Sequence, residues 1–262
     1  MDSMDQSRKF LENFPEIASD ATFCFACHPE IRCFNSCCSN LTLNLTPYDV
    51  YRLRKGLNLS SRDFLSRYGK LVTAPDTGLP SITLLMADES GKSCPFLRPE
   101  GCSVYPDRPG ACRSYPVGRA SAIVDQRPVE RFFLIKEPHC KGFEEKREWT
   151  PNAWFSDQGL KEYVTWNDRM MLLGSRLRSA GRSISSRNMG MVVLALYNLD
   201  DFQTFLEKMQ ITAKLPLSEA DARSILSDEQ KTLDFGFKWM DIILFGSDPQ
   251  TILSQTRGVR HE

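Results

Sequence analysis

The stretch CPFLRPEGCSVYPDRPGACRSYPVG, residues 94–118, decides how the first half of this chain folds. It sets Cys94, Cys102 and Cys112 among prolines and glycines, and it repeats Cys-x-x-Tyr-Pro ten residues apart. Because proline fixes φ and glycine tolerates positive φ, the stretch predicts ordered turns rather than a helix or a long strand. Ordered turns that carry thiols indicate a metal site.

Composition narrows the class of protein. The chain has 262 residues, of which 41% are hydrophobic and 25% charged, as in an ordinary globular protein. Its 33 basic residues are matched by 33 acidic ones, so we expect no nucleic-acid partner. The N-terminal residues lack an apolar signal segment, and no stretch approaches the roughly 18 apolar residues of a spanning helix. We therefore expect a cytoplasmic protein with no membrane partner.

The distribution of cysteine divides the chain. All nine cysteines lie at or before residue 140, and a reducing compartment favours metal ligation or redox chemistry over disulfides. We predict a Cys-rich metal-binding region, residues 1–147, with short helices and a small sheet around a metal site. Residues 148–262 are predicted to form a helical region packed on it, so that the whole is one compact α+β domain.

Local signals place individual elements. Thr46 before Pro47 is typical of a helix start, and Ser60 or Ser61 is expected to cap a second helix. Ser218 and Glu219 are expected to open the last helix. Strands of one small sheet are predicted near residues 81–86, 121–124 and 131–137, and long helices near residues 157–180, 188–209 and 218–245.

An N-terminal group of cysteines lies in CFACHPEIRCFNSCC, residues 24–38. The two-residue gap between Cys24 and Cys27 is common in zinc and iron–sulfur sites, although the gap alone is weak support. Cys33 and the doublet Cys37-Cys38 follow closely. Adjacent residues on an extended backbone point in opposite directions, so the doublet could serve two sites, or one thiol could be a ligand while the other packs beside it.

Cys140 is a plausible last ligand to a second group. With Cys24 left out, eight candidate metal ligands remain, enough for two four-thiolate sites or for one site with additional structural or reactive thiols: Cys27, Cys33, Cys37, Cys38, Cys94, Cys102, Cys112 and Cys140. Thiolates suit zinc or iron–sulfur clusters and exclude calcium and magnesium. The gaps after Cys94 are seven, nine and 27 residues, wider than in paired zinc knuckles. We therefore favour an iron–sulfur cluster, with zinc as the alternative.

Other polar residues lie close to the cysteines. His28 and His139 adjoin Cys27 and Cys140, and each could replace a thiolate, hydrogen-bond to one, or lie at the surface. Three arginines flank the second group, and they could offset thiolate charge, hold an anionic substrate or form ordinary surface ion pairs: Arg108, Arg113 and Arg119.

Three runs together carry a family resemblance: CHPEIRCFNSCC (27–38), CPFLRPEGCSVYPDRPGACRSYPVGR (94–119) and HCKGFEEKREW (139–149). They resemble the YkgJ-like cysteine-cluster proteins, the family with the CxxCxxCC zinc- or iron-chelating domain, over residues 24 to about 170. The resemblance implies that the eight cysteines named above belong to the metal site. It names a metal domain more than an activity.

Function remains a choice among three hypotheses. The first is a metal-binding protein that holds an iron–sulfur cluster for electron transfer or an unidentified redox reaction, with an unknown redox partner. The second is a structural zinc protein whose helical half binds a protein partner. The third follows from a similarity to part of the flagellin lysine N-methylases, which implies cluster-dependent alkyl transfer. No catalytic residue is assigned under any of them.

Overall fold

The structure is a computed structural model that describes residues 14–75, 77–87, 92–124, 127–181 and 184–254, with only the backbone of residues 122–128. The described residues form ten α-helices: Pro47–Gly56 (α1), Ser61–Tyr68 (α2), Gly110–Ser114 (α3), Pro151–Asp157 (α4), Lys161–Ser179 (α5), Ser186–Tyr197 (α6), Leu199–Lys208 (α7), Glu219–Ser227 (α8), Glu229–Phe245 (α9) and Pro249–Ser254 (α10). A predominance of helix in the second half and short elements in the first confirm the α+β class.

Strands in the same part of the chain are short: Glu16–Ile17 (β1), Phe23–Cys24 (β2), Asn44–Leu45 (β3), Gly69–Thr73 (β4), Pro80–Leu84 (β5), Leu97–Arg98 (β6), Gly101–Cys102 (β7), Val117–Val124 (β8), Arg127–Leu134 (β9) and Glu148–Trp149 (β10). They form antiparallel sheets in the orders β1-β9-β8, β10-β2, β3-β5-β4 and β6-β7. The prediction of one small sheet is therefore wrong, because the strand near residues 81–86 pairs with β3 and β4 and not with β8 or β9.

Helix starts follow the local signals. The Thr46 side chain accepts a hydrogen bond from the Asp49 N–H, and Asp49 accepts in return from the Thr46 N–H, which completes a capping box at α1. Ser60 caps α2 by accepting from the Asp63 N–H, and Ser218 caps α8 in the same way through Asp221. The three capping predictions are confirmed. They could be made from the sequence because the capping side chain and its N–H partner lie only three positions apart.

Two predicted long helices are each divided in two. Asn198 separates α6 from α7 with φ −116° and ψ 66°, and Asp228 separates α8 from α9 with φ −117° and ψ 112°. The Asp228 carboxylate accepts hydrogen bonds from the N–H groups of Gln230 and Lys231, so it starts a new helix. Apolar spacing continues across both breaks, which is why the pattern alone did not reveal them.

The stretch 94–118 is partly helical, contrary to the prediction of turns alone. Residues Gly110–Ser114 form α3, and Cys112 lies in this helix. The buried Asp49 carboxylate accepts a 2.7 Å hydrogen bond from the Gly110 N–H. A side chain 61 positions away in the chain therefore holds the first turn of α3, and a local pattern cannot show such a partner.

Two hydrophobic cores position the cysteines. The larger core draws buried residues from both halves of the sequence, including Tyr48 and Phe235, and Cys94 and Cys102 pack against its edge. The smaller core consists of Phe23, Phe25, Val117, Phe132 and Trp154, and Cys140 packs against it together with Tyr115. The division of the chain near residue 147 stays a prediction. No helix in the described ranges has both the length and the apolar character needed to cross a membrane.

Candidate metal centre

The loop that carries Cys27 and Cys33 is held against the segment around Cys140. The Ala26 N–H donates to the Gly142 carbonyl at 3.1 Å, and the Lys141 N–H donates to the Cys33 Sγ at 3.1 Å. A Cβ atom at Gly142 would lie 2.4 Å from the Phe25 ring and 2.7 Å from the Ala26 carbonyl oxygen, so only glycine fits this contact. Cysteines more than 100 positions apart are thereby brought together.

We define the first cysteine group as Cys27, Cys33, Cys37 and Cys140. Burial is the main cause that raises the pKa of Cys27 to about 11, and the thiols of Cys37, Cys33 and Cys140 add to it through their proximity. Neighbouring thiols raise the pKa of Cys27 because their thiolates would repel a negative charge on its sulfur. A metal cation would reverse this effect by stabilising the thiolates.

The doublet Cys37-Cys38 lies between the first cysteine group and the remaining cysteines. Ser36–Cys38 form one turn of 3-10 helix. The doublet therefore does not have the extended backbone that was expected from the sequence. A hydrogen bond between the two thiols lowers the pKa of Cys37 to about 7 and raises that of Cys38. Cys37 lies within electrostatic range of Cys27, and also of Cys102 and Cys112. Cys37 and Cys38 therefore lie where the first cysteine group meets Cys102 and Cys112.

We define the second cysteine group as Cys38, Cys94, Cys102 and Cys112. The Cys94 N–H donates to the Cys38 carbonyl at 2.9 Å, and the β6–β7 hairpin pairs Leu97 with Cys102. Burial of its thiol raises the pKa of Cys112 to about 12, with further contributions from Cys94 and Cys102, although part of the residue reaches solvent. A 3-10 turn, a loop, strand β7 and helix α3 thus supply four neighbouring thiols.

The donor set fits a thiophilic metal in kind and in number, since each group offers four free cysteines. Within the described ranges, however, no three cysteine, histidine or acidic side chains already form a set that could hold a metal ion. Binding therefore requires the side chains of each group to reorient toward a common ion.

Cys24 is placed apart from these groups. It lies in β2, where it pairs with Glu148 of β10. Its neighbours Phe23 and Phe25 are buried in the smaller core. The other eight cysteines have cysteine neighbours, Cys27 near Cys33, Cys37 and Cys140, and Cys112 near Cys94 and Cys102. Their role as ligands stays a prediction.

Neither neighbouring histidine faces a cysteine thiol in a recorded contact among the described residues. His28 Nδ1 lies 2.8 Å from Glu30 Oε2 and His28 Nε2 lies 3.6 Å from Glu145 Oε1. The hydrogen bond to Glu30 is the main cause that raises the pKa of His28. His139 is exposed. The surface interpretation of these two residues is the better one.

The repeated Cys-x-x-Tyr-Pro does not form two equivalent units. Tyr105 is 57% exposed, and the Arg108 guanidinium stacks over its ring at 3.8 Å. Tyr115 instead contacts the thiol of Cys140, and this contact adds to burial in raising the pKa of Tyr115. Tyr115 follows α3, which carries Cys112, yet it lies beside a cysteine of the first group.

Arg119 is occupied elsewhere. Its guanidinium donates to both oxygens of the buried Asp168 at 2.7 and 3.0 Å, and it also pairs with Glu130. Arg113 donates to the carbonyl oxygens of Gln158 and Pro106. Of the three arginines singled out in the sequence, these two therefore serve the packing of the chain.

A comparison with protein families agrees with this geometry. The family model CxxCxxCC, described as "Putative zinc- or iron-chelating domain", matches residues 26–141. Over these residues the chain is similar to the CxxCxxCC family. The matched segment contains all eight cysteines of the two groups and leaves Cys24 outside. Because the CxxCxxCC domain is described as zinc- or iron-chelating, the match supports metal binding. No curated protein and no solved structure matches the chain.

Proposed function

We propose that this CxxCxxCC protein is an iron–sulfur protein with two neighbouring four-cysteine sites that serve electron transfer. The observation that supports the proposal is the proximity of the thiols, with Cys27 near Cys33, Cys37 and Cys140, and Cys112 near Cys94, Cys102 and Cys37. We assign them to two sites that meet at Cys37 and Cys38. Consecutive residues then contribute to different sites. Such closeness favours passage of one electron from one site to the other.

Three features favour iron–sulfur over structural zinc. A backbone N–H donates to the Cys33 sulfur, and hydrogen bonds to sulfur are a main determinant of cluster potential. Aromatic rings surround the first cysteine group on its core side, where the Phe25 ring makes edge contacts with Tyr115, Phe143 and Trp154. The wide spacing of the ligands along the chain also suits a cluster better than paired zinc knuckles.

Cysteines and aromatic residues would have different roles at such a site. When bound, an iron–sulfur cluster supplies one-electron chemistry. The cysteines hold it, and the rings beside Cys140 exclude water from one side. Cys27 and Cys37 are exposed, so a redox partner protein could approach this face closely enough to give or take an electron.

The test is a metal analysis of protein purified without oxygen. We expect iron and acid-labile sulfide in comparable amounts, with visible absorption that bleaches on reduction. Stoichiometric zinc without colour would contradict the proposal and would direct attention to protein partners of the helical half, since zinc binding is coupled to folding. The absence of any metal would contradict both.

Single serine variants test the division into two sites. We expect Cys33→Ser to lose the metal of the first cysteine group and Cys102→Ser that of the second, so that each retains about half of the iron. Cys24→Ser is the matched control and should retain all of it. Complete loss of iron from either of the first two variants, or loss from the control, would show that the cysteines do not form two independent sites.

A further inference from the structure

Arg108 is a buried cation without an acidic partner. Only 8% of the residue is exposed. Its guanidinium donates to the Tyr105 carbonyl at 2.7 Å and to the side-chain oxygen of Gln158, and both of these acceptors are neutral. Among the residues that the structure describes, no carboxylate lies within ion-pair distance of it.

Two other arginines with buried guanidinium groups are paired with carboxylates. Arg54, which is 3% exposed, lies 2.5 Å from Glu229 and 3.5 Å from Asp200. The Arg119 side chain is 7% exposed and holds Asp168 and Glu130. A buried arginine keeps its charge, and an uncompensated buried charge is strongly destabilising. Arg108 therefore differs from Arg54 and Arg119.

The nearest candidates for a counter-charge are thiols of the second cysteine group. Arg108 follows the β6–β7 hairpin that carries Cys102 and precedes α3, which carries Cys112. It lies within electrostatic range of both sulfurs. Neutral thiols would leave the guanidinium uncompensated, whereas metal-bound thiolates would balance it.

We propose that Arg108 is the built-in counter-ion of the second cysteine group, and that it raises the reduction potential of the cluster held there above that of the first cysteine group. This inference rests on the proposed function. Reduction adds one negative charge to a cluster, and a nearby buried cation stabilises that charge strongly because little solvent screens it. An electron that enters through the first cysteine group would then come to rest at the second.

The test compares the reduction potentials of variants in protein that holds both clusters. Dithionite supplies the electron, and an electron-paramagnetic-resonance titration follows each cluster separately. Arg108→Gln removes the charge but can still donate a hydrogen bond, and Arg108→Lys keeps the charge. Arg98→Gln is the matched control. Arg98 lies within electrostatic range of Cys94, but it is exposed, and its side chain donates to the carbonyls of Pro95 and Leu97.

We expect Arg108→Gln to shift the higher of the two potentials to a more negative value and to leave the lower one unchanged. Arg108→Lys should restore most of the shift, and Arg98→Gln should produce little, since solvent screens its charge. If Arg108→Gln instead loses the iron of the second cysteine group, retention of that iron in Arg108→Lys would equally support a role for the charge.

Three outcomes would overturn the inference. Unchanged potentials in Arg108→Gln with both clusters present would remove the role of Arg108 and leave the proposed function intact. Equal shifts in Arg108→Gln and Arg98→Gln, or equal loss of iron in Arg108→Gln and Arg108→Lys, would do the same. Absence of iron and sulfide from the parent protein would overturn the proposed function and this inference together.

Discussion

At the scale of single residues, the cysteine groups depend on one close approach that tolerates no side chain. Gly142 packs against the ring of Phe25 and the carbonyl of Ala26, on the segment that leads to Cys27. Lys141, which precedes Gly142, supplies the N–H that donates to the Cys33 sulfur. A glycine more than 100 positions from Cys27 therefore determines whether Cys140 can join the first cysteine group.

We expect Gly142→Ala to lower the melting temperature and to reduce the metal content of the first cysteine group. Its Cβ would overlap with Phe25 and Ala26, and such overpacking costs about 1–3 kcal/mol. Calorimetry and metal analysis provide the measurements. Gly190→Ala in α6 is the control, because no atom lies within 4 Å of its Cβ position and alanine favours the helix. Normal metal content in Gly142→Ala would contradict the role of this contact.

At the scale of elements, ion pairs hold α5 against α9. Arg169 of α5 lies 2.7 Å from Asp234 of α9, and Arg176 pairs with Asp241 about two helical turns further along both helices. Lys238 lies 3.4 Å from Asp234 on the same helix. Burial raises the pKa of Asp234, but Arg169 and Lys238 outweigh it, so that the pKa is lowered overall. The carboxylate is thus stabilised in the folded chain.

This lowered pKa makes the interface sensitive to acid. A carboxyl whose folded pKa lies below its unfolded value of about 3.9 stabilises the fold above that pH, and the contribution is lost as pH falls through the folded pKa. We expect Asp234→Asn to lower the free energy of unfolding by about 1–3 kcal/mol at pH 7. The difference from the parent should stay constant from pH 7 to 5 and shrink below about pH 4.

Denaturant unfolding of the two proteins at several pH values would measure this difference. Asp20→Asn is the control, because Asp20 is exposed and the structure records no ion pair for it among the described residues. A deficit in Asp234→Asn that persists unchanged at pH 3 would show that Asp234 acts through packing rather than through its charge.

At the scale of the whole molecule, the Cys-rich and helical halves share a core. Tyr48 of α1 stacks on Trp166 of α5 with ring centroids 5.8 Å apart. The buried pair of Arg119 and Asp168 ties β8 to α5, and Cys94 and Cys102 pack at the edge of the same core. We therefore expect loss of packing in the helical half to perturb the second cysteine group as well.

We predict one cooperative unfolding transition for the metal-loaded protein. Tryptophan fluorescence and helical circular dichroism should change at the same denaturant concentration, because Trp166 and Trp239 lie in the core that both halves build. Visible absorption of the cluster should disappear in the same transition. Separate midpoints for the helical signal and the cluster would contradict the single domain and would favour two independently folding regions.

Local chemistry could be predicted from the sequence as far as it depends on near neighbours. The caps at Thr46, Ser60 and Ser218 were predictable, because a side-chain oxygen and its N–H partner lie within one turn. The breaks at Asn198 and Asp228 were not, because each lies inside a continuous apolar pattern. The prediction of a single sheet was wrong for a similar reason, since strand pairing depends on contacts between residues far apart along the chain.

By itself, the sequence determined the α+β class, the positions of the thiols and the similarity of residues 26–141 to the CxxCxxCC family, because composition, short-range spacing and motif are properties of the chain. Only the tertiary structure decided how the cysteines are grouped, that Cys37 and Cys38 lie at the junction, and that Arg108 is buried without a carboxylate. These features depend on Gly142, Asp49 and two cores that join residues far apart along the chain. Long-range packing sets such distances, and spacing along the chain does not encode them.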